Sequence, residues 1–464
     1  MKYEATIRDQ LAAYLSGRSM SINQFSEQSG INSGTLSRII NGHQPIAMSH
    51  LERLTRGMGM PEDHFYSLYV DECLYYSAPT WRRLRPFLLR CADFDRLDCI
   101  KRIVEILLDN LIYAPMLFEV AEELFGQGKR KAAALLYENV SASEKYQYSE
   151  RLAVCQYRLF VIALGKDQNT DLRAATLFES YVPRLDELDQ LDALKDLAHV
   201  FSSLHQWARV DELAKELHRI ASIQYELYCQ SERKHKIHKQ PSKPIFGYIL
   251  YSYLLQSVVC GEAGDYRGAL SFVAKYGNAG WVKERSEEAV RTLRQFQDWA
   301  QANTYLYRLM DGQQDALAEY LNYISGREDG VFTALSNIVE AANRYQWNID
   351  HILEQYSEHF PYQAYSAAFG GYNQQITLDQ HAQFLGELAV YHLSREHCGG
   401  MDYLLCSIDF SAKINSGTNI IRCVDVFEQY RNRASREDIR RYQLLISEVR
   451  KLNEKRREIA PSCV

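Results

Sequence analysis

The sequence predicts an all-α protein. Apolar residues recur at helical spacing along most of the 464-residue chain, and no segment shows the strict alternation of a strand. Proline is scarce, with 10 residues, and glycine is modest, with 24, which favours long uninterrupted helices. A chain of this length exceeds one ordinary core, so we expect two or more domains.

Composition and charge exclude several classes of protein. The net charge is −6, so any contact with nucleic acid must come from a local patch rather than from the chain as a whole. The first residues are polar and no long apolar run follows, so we expect neither a signal peptide nor a membrane span, and a cytoplasmic protein. The ten cysteines form no C-x-x-C pair, which favours reduced, buried thiols.

The front of the chain predicts several short helices. After a first amphipathic helix over residues 3–16, Ser21 and Gln24 have the spacing of a capping box. Gly30 ends the second helix, because glycine adopts the left-handed conformation of a tight turn. Either Asn32 or Ser33 caps a third helix. A second capping box is predicted for Ser49 and Glu52.

The third helix would present short polar residues outward. Leu36, Ile39 and Ile40 face inward, and the opposite side fits the major groove of DNA, which is about 12 Å wide. Residues 7–65 resemble the Cro/C1-type helix-turn-helix family in the turn glycine and in the "TLSRI" stretch of the third helix. The predicted DNA-binding residues are Asn23, Asn32, Ser33, Thr35, Ser37, Arg38, Asn41 and His43.

Two departures from that family matter. Ile22 and Ile40 stand where the family often has Gln and Glu, so a neighbour such as Asn23 is expected to supply the usual backbone contact. Residues 1–60 carry a net charge of only +2, so we expect a homodimer that binds a double-stranded operator with two copies of this domain. The alternative is that the front helices form an inert cap or a protein-docking module.

The remainder of the chain contains degenerate repeats. The stretch "GDYRGAL", residues 264–270, resembles the turn and second helix of a tetratricopeptide repeat, and weaker echoes occur over residues 126–140, 170–183, 204–217 and 310–324. The matching residues Ala133, Ala175, Val210, Ala269 and Ala316 are separated by 42, 35, 59 and 47 residues, against a strict period of about 34. The sequence therefore predicts a tetratricopeptide-like α-solenoid, with an irregular helical bundle as the alternative.

This combination of domains resembles the RNPP family of peptide pheromone receptors. Residues 65–109 are similar in pattern to the arbitrium peptide receptors of phages and their bacterial relatives. The resemblance implies a homodimeric transcription regulator of quorum-sensing type. It also implies that a short signalling peptide binds inside the repeat domain and alters DNA binding.

Asparagine and arginine are the candidate ligand residues of the repeat domain. Asparagine can pair with the backbone of an extended peptide, and arginine can hold its terminal carboxylate. The candidates are Arg291, Arg294, Asn303, Tyr307, Asn322, Asn337 and Asn343. For each one the alternative is an ordinary exposed or packing residue.

Other conspicuous stretches have structural explanations as well. Residues 231–244 form a basic linker that either contacts DNA phosphates or is a solvated loop, and residues 81–90 either assist the DNA-binding domain or bridge domains. His235 and His238, or His392, His397 and Cys398, lack a completing pair at ligand spacing, so no metal and no cofactor is expected. The amphipathic helix over residues 435–459 packs on the last repeat or forms part of a dimer seam.

The predicted organisation has three parts. Residues 1–70 are the DNA-binding domain, residues 71–110 a helical connector, and residues 111–464 the domain for peptide sensing and dimerisation. No catalytic motif occurs, so an enzyme is not expected. The alternative function is an adaptor whose repeats bind a partner protein.

Overall fold

A computed structural model describes most of the chain. It covers residues 5–76, 79–146, 149–165, 167–230, 241–325, 331–362 and 373–459, and in the last range it describes side chains for 378–451 and for 454. Every regular element in these ranges is a helix, which confirms the all-α prediction. The basic linker, except for its last four residues, lies outside the described residues.

The chain divides into two compact units, Met1–Ile162 and Ala163–Val464. Each is described by itself. The helices that begin in unit 1 are α1 (Ile7–Gly17), α2 (Ile22–Ser29), α3 (Ser33–Ile40), α4 (Met48–Gly57), α5 (Tyr66–Leu74), α6 (Trp81–Asp93), α7 (Leu97–Leu107), α8 (Tyr113–Gly126), α9 (Arg130–Ser143) and α10 (Glu150–Ala163).

One continuous apolar core runs through unit 1. It extends from Ile7 on α1 to Cys155 on α10 without a break at the front helices. Tyr69 on α5 illustrates this continuity, because its hydroxyl donates to the Ile46 carbonyl at 2.7 Å and its ring packs edge-on against Phe87 of α6. The front helices are therefore fixed to the helices that follow them, and the domain division at residue 70 stays a prediction.

Unit 2 contains the remaining helices. They are α11 (Gln168–Glu179), α12 (Glu187–Ser203), α13 (Trp207–Gln230), α14 (Ile245–Glu262), α15 (Tyr266–Gly277), α16 (Glu287–Met310), α17 (Asp315–Ile324), α18 (Val331–Tyr345), α19 (Asp350–Gln355), α20 (Asn373–Ser394), α21 (Gly400–Ile414), α22 (Gly417–Gln429) and α23 (Arg436–Ile459). Three short 3-10 helices span Val182–Arg184, Ser357–His359 and Arg431–Arg433. From α11 to α18, each helix packs against the next one along the chain.

The hairpin of α14 and α15 has the predicted turn. Gly264 adopts a left-handed conformation with φ 78°, and the Asp265 carboxylate accepts from the Gly268 amide at 2.9 Å to cap α15. The five residues aligned from the repeat echoes are all fully buried on helices: Ala133, Ala175, Val210, Ala269 and Ala316. The repeat alignment thus marked positions where helices approach closely.

The C-terminal helix α23 packs on unit 2. Tyr442 stacks on Phe427 of α22 with 3.7 Å between ring centroids, and Ile439, Leu445 and Ile446 join the same cluster. The side chain of Leu452 lies outside the described residues. The first half of α23 is thus a packing element of this unit. Within the described ranges, no helix has the length and apolar character needed to cross a bilayer.

Candidate nucleic-acid interface

The start of α2 is fixed by a capping box. The Ser21 hydroxyl accepts from the Gln24 amide at 3.3 Å, and the Gln24 side chain accepts from the Ser21 amide at 2.8 Å. Two of the amides that a helix start leaves unpaired are therefore satisfied by side chains. This part of the prediction is confirmed.

A rigid turn connects α2 to α3. Gly30 has φ 68°, and its amide donates to the Ser26 carbonyl at 2.9 Å. The Ser26 hydroxyl donates to the Ile31 carbonyl at 2.6 Å on the far side of the turn. Of the two predicted caps for α3, Asn32 is the one used, because its side-chain oxygen accepts from the amides of Gly34 and Thr35.

The outer face of α3 is open to solvent. Leu36 and Ile39 are fully buried below it. Of the predicted DNA-binding residues, Asn32, Arg38, Asn41 and His43 are exposed, and Ser33, Thr35 and Ser37 are half-buried; Asn23, on the first turn of α2, is also exposed. The structure thus brings the predicted polar residues of α3 onto one accessible surface.

Arg38 is held in place on this surface. Its Nε donates to the Gln44 side-chain oxygen at 3.1 Å, and its Nη2 lies 3.4 Å from the Thr35 hydroxyl. A guanidinium with a fixed orientation loses less conformational freedom when it binds a base edge or a phosphate. Gln44 was not among the predicted residues, since it follows the helix and carries no periodic signal.

Further exposed cations lie on the front helices. Arg53 donates to the Gly30 carbonyl at 3.2 Å, which places its guanidinium beside the turn between α2 and α3. Arg18 and Arg56 are also exposed, and the Arg18 guanidinium lies over the Tyr14 ring. Arg53 therefore adds a positive charge beside the turn that leads into α3.

Two expectations about the front helices are wrong. Ser49 does not cap α4, because that helix already begins at Met48 after Ala47, which makes no side-chain capping bond. In addition, α1 begins at Ile7 under a capping box of Thr6 and Asp9, which the sequence analysis missed. Ser49 has a helical backbone in the first turn, where its hydroxyl cannot act as an N-cap.

The seven predicted ligand residues in unit 2 have different environments. Arg291, Arg294 and Asn322 are exposed. Asn303 donates to the Tyr276 hydroxyl at 2.8 Å, Asn337 donates to the Tyr320 hydroxyl at 3.3 Å, and Tyr307 is buried with 4% exposure. Asn343 donates to the Glu387 carboxylate at 2.6 Å. The structure does not bring the seven together in one site.

Asn343 lies beside a cluster of charged residues that the sequence analysis missed. We call Glu262, Glu340, Arg344, Glu387 and Arg422 the charged cluster. Arg422 is paired with the nearly buried Glu387, and Arg344 lies 3.3 Å from Glu340 and also donates to the Tyr266 hydroxyl. These residues come from α14, α18, α20 and α22, so no local pattern in the sequence could have connected them.

Two carboxylates of the charged cluster, Glu262 and Glu340, have raised pKa values. Burial and the nearby Glu387 raise the pKa of Glu340 to about 7, although 43% of its side chain remains accessible. Burial also raises the pKa of Glu262, a residue that is exposed to solvent. Both carboxylates remain accessible although their charged forms are disfavoured, so an added cation would stabilise those charged forms.

Two cavities of unit 2 lie elsewhere. A groove of about 610 Å³ runs between α12 and α13, lined by Leu194, Leu213, Ile220, Ile223 and Leu227 among others, and a pocket of about 290 Å³ lies near the start of α16. None of the seven predicted ligand residues lines either cavity. In the described part of the chain, no three His, Cys, Asp or Glu side chains are grouped to hold a metal ion; His235 and His238 lie outside it.

Comparison of the chain with models of known protein families, with curated proteins and with solved structures found no significant match.

Proposed function

We propose that the chain is a sequence-specific DNA-binding transcription regulator whose repeat unit binds a short signalling peptide. The observation that carries the proposal is the accessible polar face of α3, with Arg38 oriented by Thr35 and Gln44. A helix of this kind, held at a fixed angle by a short turn, fits the major groove of B-DNA. The proposal treats the front helices as a Cro/C1-type helix-turn-helix domain, acting in the cytoplasm on its operator.

The packing of unit 2 supports a tetratricopeptide-like solenoid. Consecutive helices from α11 to α18 pack on each other, and Ala269 and its counterparts fill the helix crossings. Stacked helix pairs create a concave inner face suited to an extended peptide. The irregular spacing of the echoes follows from helices of unequal length, from 10 residues in α17 to 24 in α13.

The charged cluster and Asn343 are the best candidates for the ligand site. The side-chain oxygen of Asn343 is buried without a hydrogen-bond partner among the described residues, so it would gain a bond from a peptide amide that displaces the side chains covering it. The cluster holds three carboxylates against two guanidinium groups. We therefore expect the ligand to place a cationic group beside Glu262 and Glu340.

The proposed regulation is a shift of population between two dimer states. A peptide that binds one state of the repeat unit more tightly favours that state in proportion to the difference in affinity. The two DNA-binding heads of a homodimer must match half-sites about 34–36 Å apart or a multiple of that distance. Changing this spacing would change operator affinity.

DNA binding is tested with the full chain and duplexes from the region upstream of its own coding sequence. Arg38→Ala should weaken specific binding by about 1–3 kcal/mol, roughly 5- to 150-fold, in a fluorescence anisotropy titration. Arg130→Ala is the matched control, because it removes one exposed positive charge from α9, a helix of the same unit that packs against α7 and α8. Equal effects of the two variants, or no sequence preference at any salt concentration, would contradict the proposal.

A second candidate function is an adaptor that binds a partner protein. The groove between α12 and α13 favours it, because Ile223 and Leu227 expose 45% and 54% of their surface there. Exposed apolar residues beside a groove are typical of protein-binding surfaces. Under this alternative Ile223→Asp would abolish partner capture, and Arg38→Ala would have no effect on function.

A further inference from the structure

Four polar residues of unit 2 meet around the buried carboxylate of Asp379 on α20. One oxygen accepts from the Ser416 hydroxyl at 2.8 Å and from the Gln168 amide group at 3.3 Å. The other accepts from the Gln383 amide group and from His205 Nε2, each at 3.0 Å. We call Gln168, His205, Asp379, Gln383 and Ser416 the clasp.

The clasp joins the first helices of unit 2 to its last ones. His205 and Asp379 are 174 positions apart, and Gln168 and Asp379 are 211 apart. A second polar link lies beside them, where Asn415 donates to the Asp167 carboxylate at 3.4 Å. An open array of repeats in which helices contact only their neighbours would not bring these residues together.

His205 occupies a position that suits glycine. It lies in the turn between α12 and α13 with φ 54°, and the equivalent turn residues before α15 and α17 are Gly264 and Gly312. A side chain in the left-handed conformation is strained, and glycine would avoid the strain. The imidazole at this position reaches Asp379, which glycine could not do.

The charges around His205 favour its protonated form. The hydrogen bond to Asp379 raises the pKa of His205 above its usual value, and Glu262 on α14 acts in the same direction, whereas burial and Arg422 on α22 oppose the shift. The Nε2 of His205 lies 3.0 Å from the Asp379 carboxylate and 2.9 Å from the Gln383 amide nitrogen. When it carries a hydrogen it donates to the carboxylate, which only accepts, and when it does not it accepts from Gln383. When the ring is an imidazolium, the bond to Asp379 is charge-assisted and stronger.

We propose that the clasp is a proton-operated closure of unit 2, in which protonation of His205 tightens the contact between α11–α12 and α20–α22 and deprotonation loosens it. Because the pKa of His205 is raised in the folded chain, protonation of His205 stabilises the closed form of unit 2. This stabilisation is fully present when the pH is below the ordinary pKa of histidine, about 6.5. It is lost as the pH rises through the pKa of His205 in the folded chain.

The test is hydrogen exchange of the full chain, measured by mass spectrometry at pH 6.0 and pH 8.5 and corrected for intrinsic exchange rates. The relevant amides are the first hydrogen-bonded ones of α11 and α22, beginning at Asp171 and Ile420. We expect at least tenfold lower protection at pH 8.5. In Asp379→Asn, which keeps the shape of the side chain without its charge, this pH dependence should disappear; its persistence would overturn the proposal.

The variant His205→Gly distinguishes the role of His205 in the clasp from its role as a turn residue. If His205 were only a turn residue, glycine would relieve strain and protection would stay the same or rise, which would overturn the proposal. We expect protection at pH 6.0 to fall instead to the wild-type level at pH 8.5. If Asp379→Asn fails to fold, His205→Gly still tests the proposal.

Glu340→Gln and Asp171→Asn are the controls for two other carboxylates of this unit whose pKa is raised, to about 7 and to about 6. Each variant should retain the pH dependence, and its loss in either one would assign the effect to that carboxylate and overturn the role of His205. None of these measurements requires DNA or peptide, so their failure is distinguishable from failure of the proposed function.

Discussion

Arg8 on α1 and Glu72 on α5 form a buried ion pair that also holds the end of α3. Arg8 Nη2 donates to the Glu72 carboxylate at 2.6 Å, and Arg8 Nε donates to the Ile39 carbonyl at 2.9 Å. Glu72 retains only 2% exposure. A cation at the C-terminal end of a helix also complements the helix dipole. Arg8 therefore fixes α3 to its support and is not available to bind phosphate.

Removing Arg8 should loosen α3. Arg8→Ala leaves the Glu72 carboxylate buried without this partner, which typically costs about 3–5 kcal/mol. Hydrogen exchange of the α3 and α5 amides in the full chain should accelerate correspondingly. Arg85→Ala is the matched control, because its pair with Glu123 is exposed and such pairs contribute about 1 kcal/mol or less. Similar effects of both variants would mean that the Arg8 pair is not a structural anchor.

Gly57 permits the close approach of α4 to α2. A Cβ atom at this position would lie 2.9 Å from the Ser29 Cβ and 3.1 Å from the Phe25 ring. Gly57→Ala should therefore destabilise unit 1 by about 1–3 kcal/mol in thermal unfolding. Gly17→Ala, which meets nothing within 4 Å, should be neutral or stabilising because alanine favours the helix. A neutral Gly57→Ala would show that the two helices can separate freely.

Local signals in the sequence predicted the front helices well. Ser21, Gly30 and Asn32 act within a few residues of their own positions, so their caps and turn could be inferred from spacing alone. The prediction that Ser49 caps α4 was wrong because serine is also tolerated inside the first turn of a helix. Which serine caps a helix depends on where tertiary packing starts it, and here the buried Met48 is already helical.

The charged cluster and the clasp could not be predicted in this way. Glu387 meets Asn343 across 44 positions, and Asp379 meets His205 across 174. Neither pair has a periodic or motif-like signature, because both depend on how the stack of helices curves. The sequence identified Asn343 as a candidate from its chemistry, but the acidic residues around it were visible only in the structure.

We expect Tyr307 to act as a packing residue rather than as a ligand-binding residue. Its ring lies so close to Gly261 of α14 that a Cβ atom there would meet its Cε1 at 2.5 Å. Tyr307→Ala should open a cavity and cost about 3–5 kcal/mol, whereas Tyr307→Phe keeps the ring and should cost about 1 kcal/mol. Chemical denaturation of the full chain measures both. A harmless Tyr307→Ala would favour a surface role in ligand binding instead.

Glu340 should make unit 2 less stable as the pH rises. Its pKa is about 7 in the folded chain against an ordinary value of 4.5 for glutamate, so the folded state favours the protonated form. The destabilisation therefore begins above pH 4.5 and is complete above pH 7. Glu340→Gln should raise the unfolding midpoint at pH 8, where it removes repulsion from Glu387, and leave it nearly unchanged at pH 4.

The difference between wild type and Glu340→Gln isolates this group from others that titrate in the same range, including Asp171, whose pKa burial raises to about 6. Glu354→Gln, an exposed carboxylate on α19, is the control and should leave the midpoint unchanged at both pH values. If Glu340→Gln also left the midpoint unchanged at pH 8, the cluster would be well hydrated. An added cation would then gain little beside Glu340, and the argument for a cationic ligand group at this site would fail.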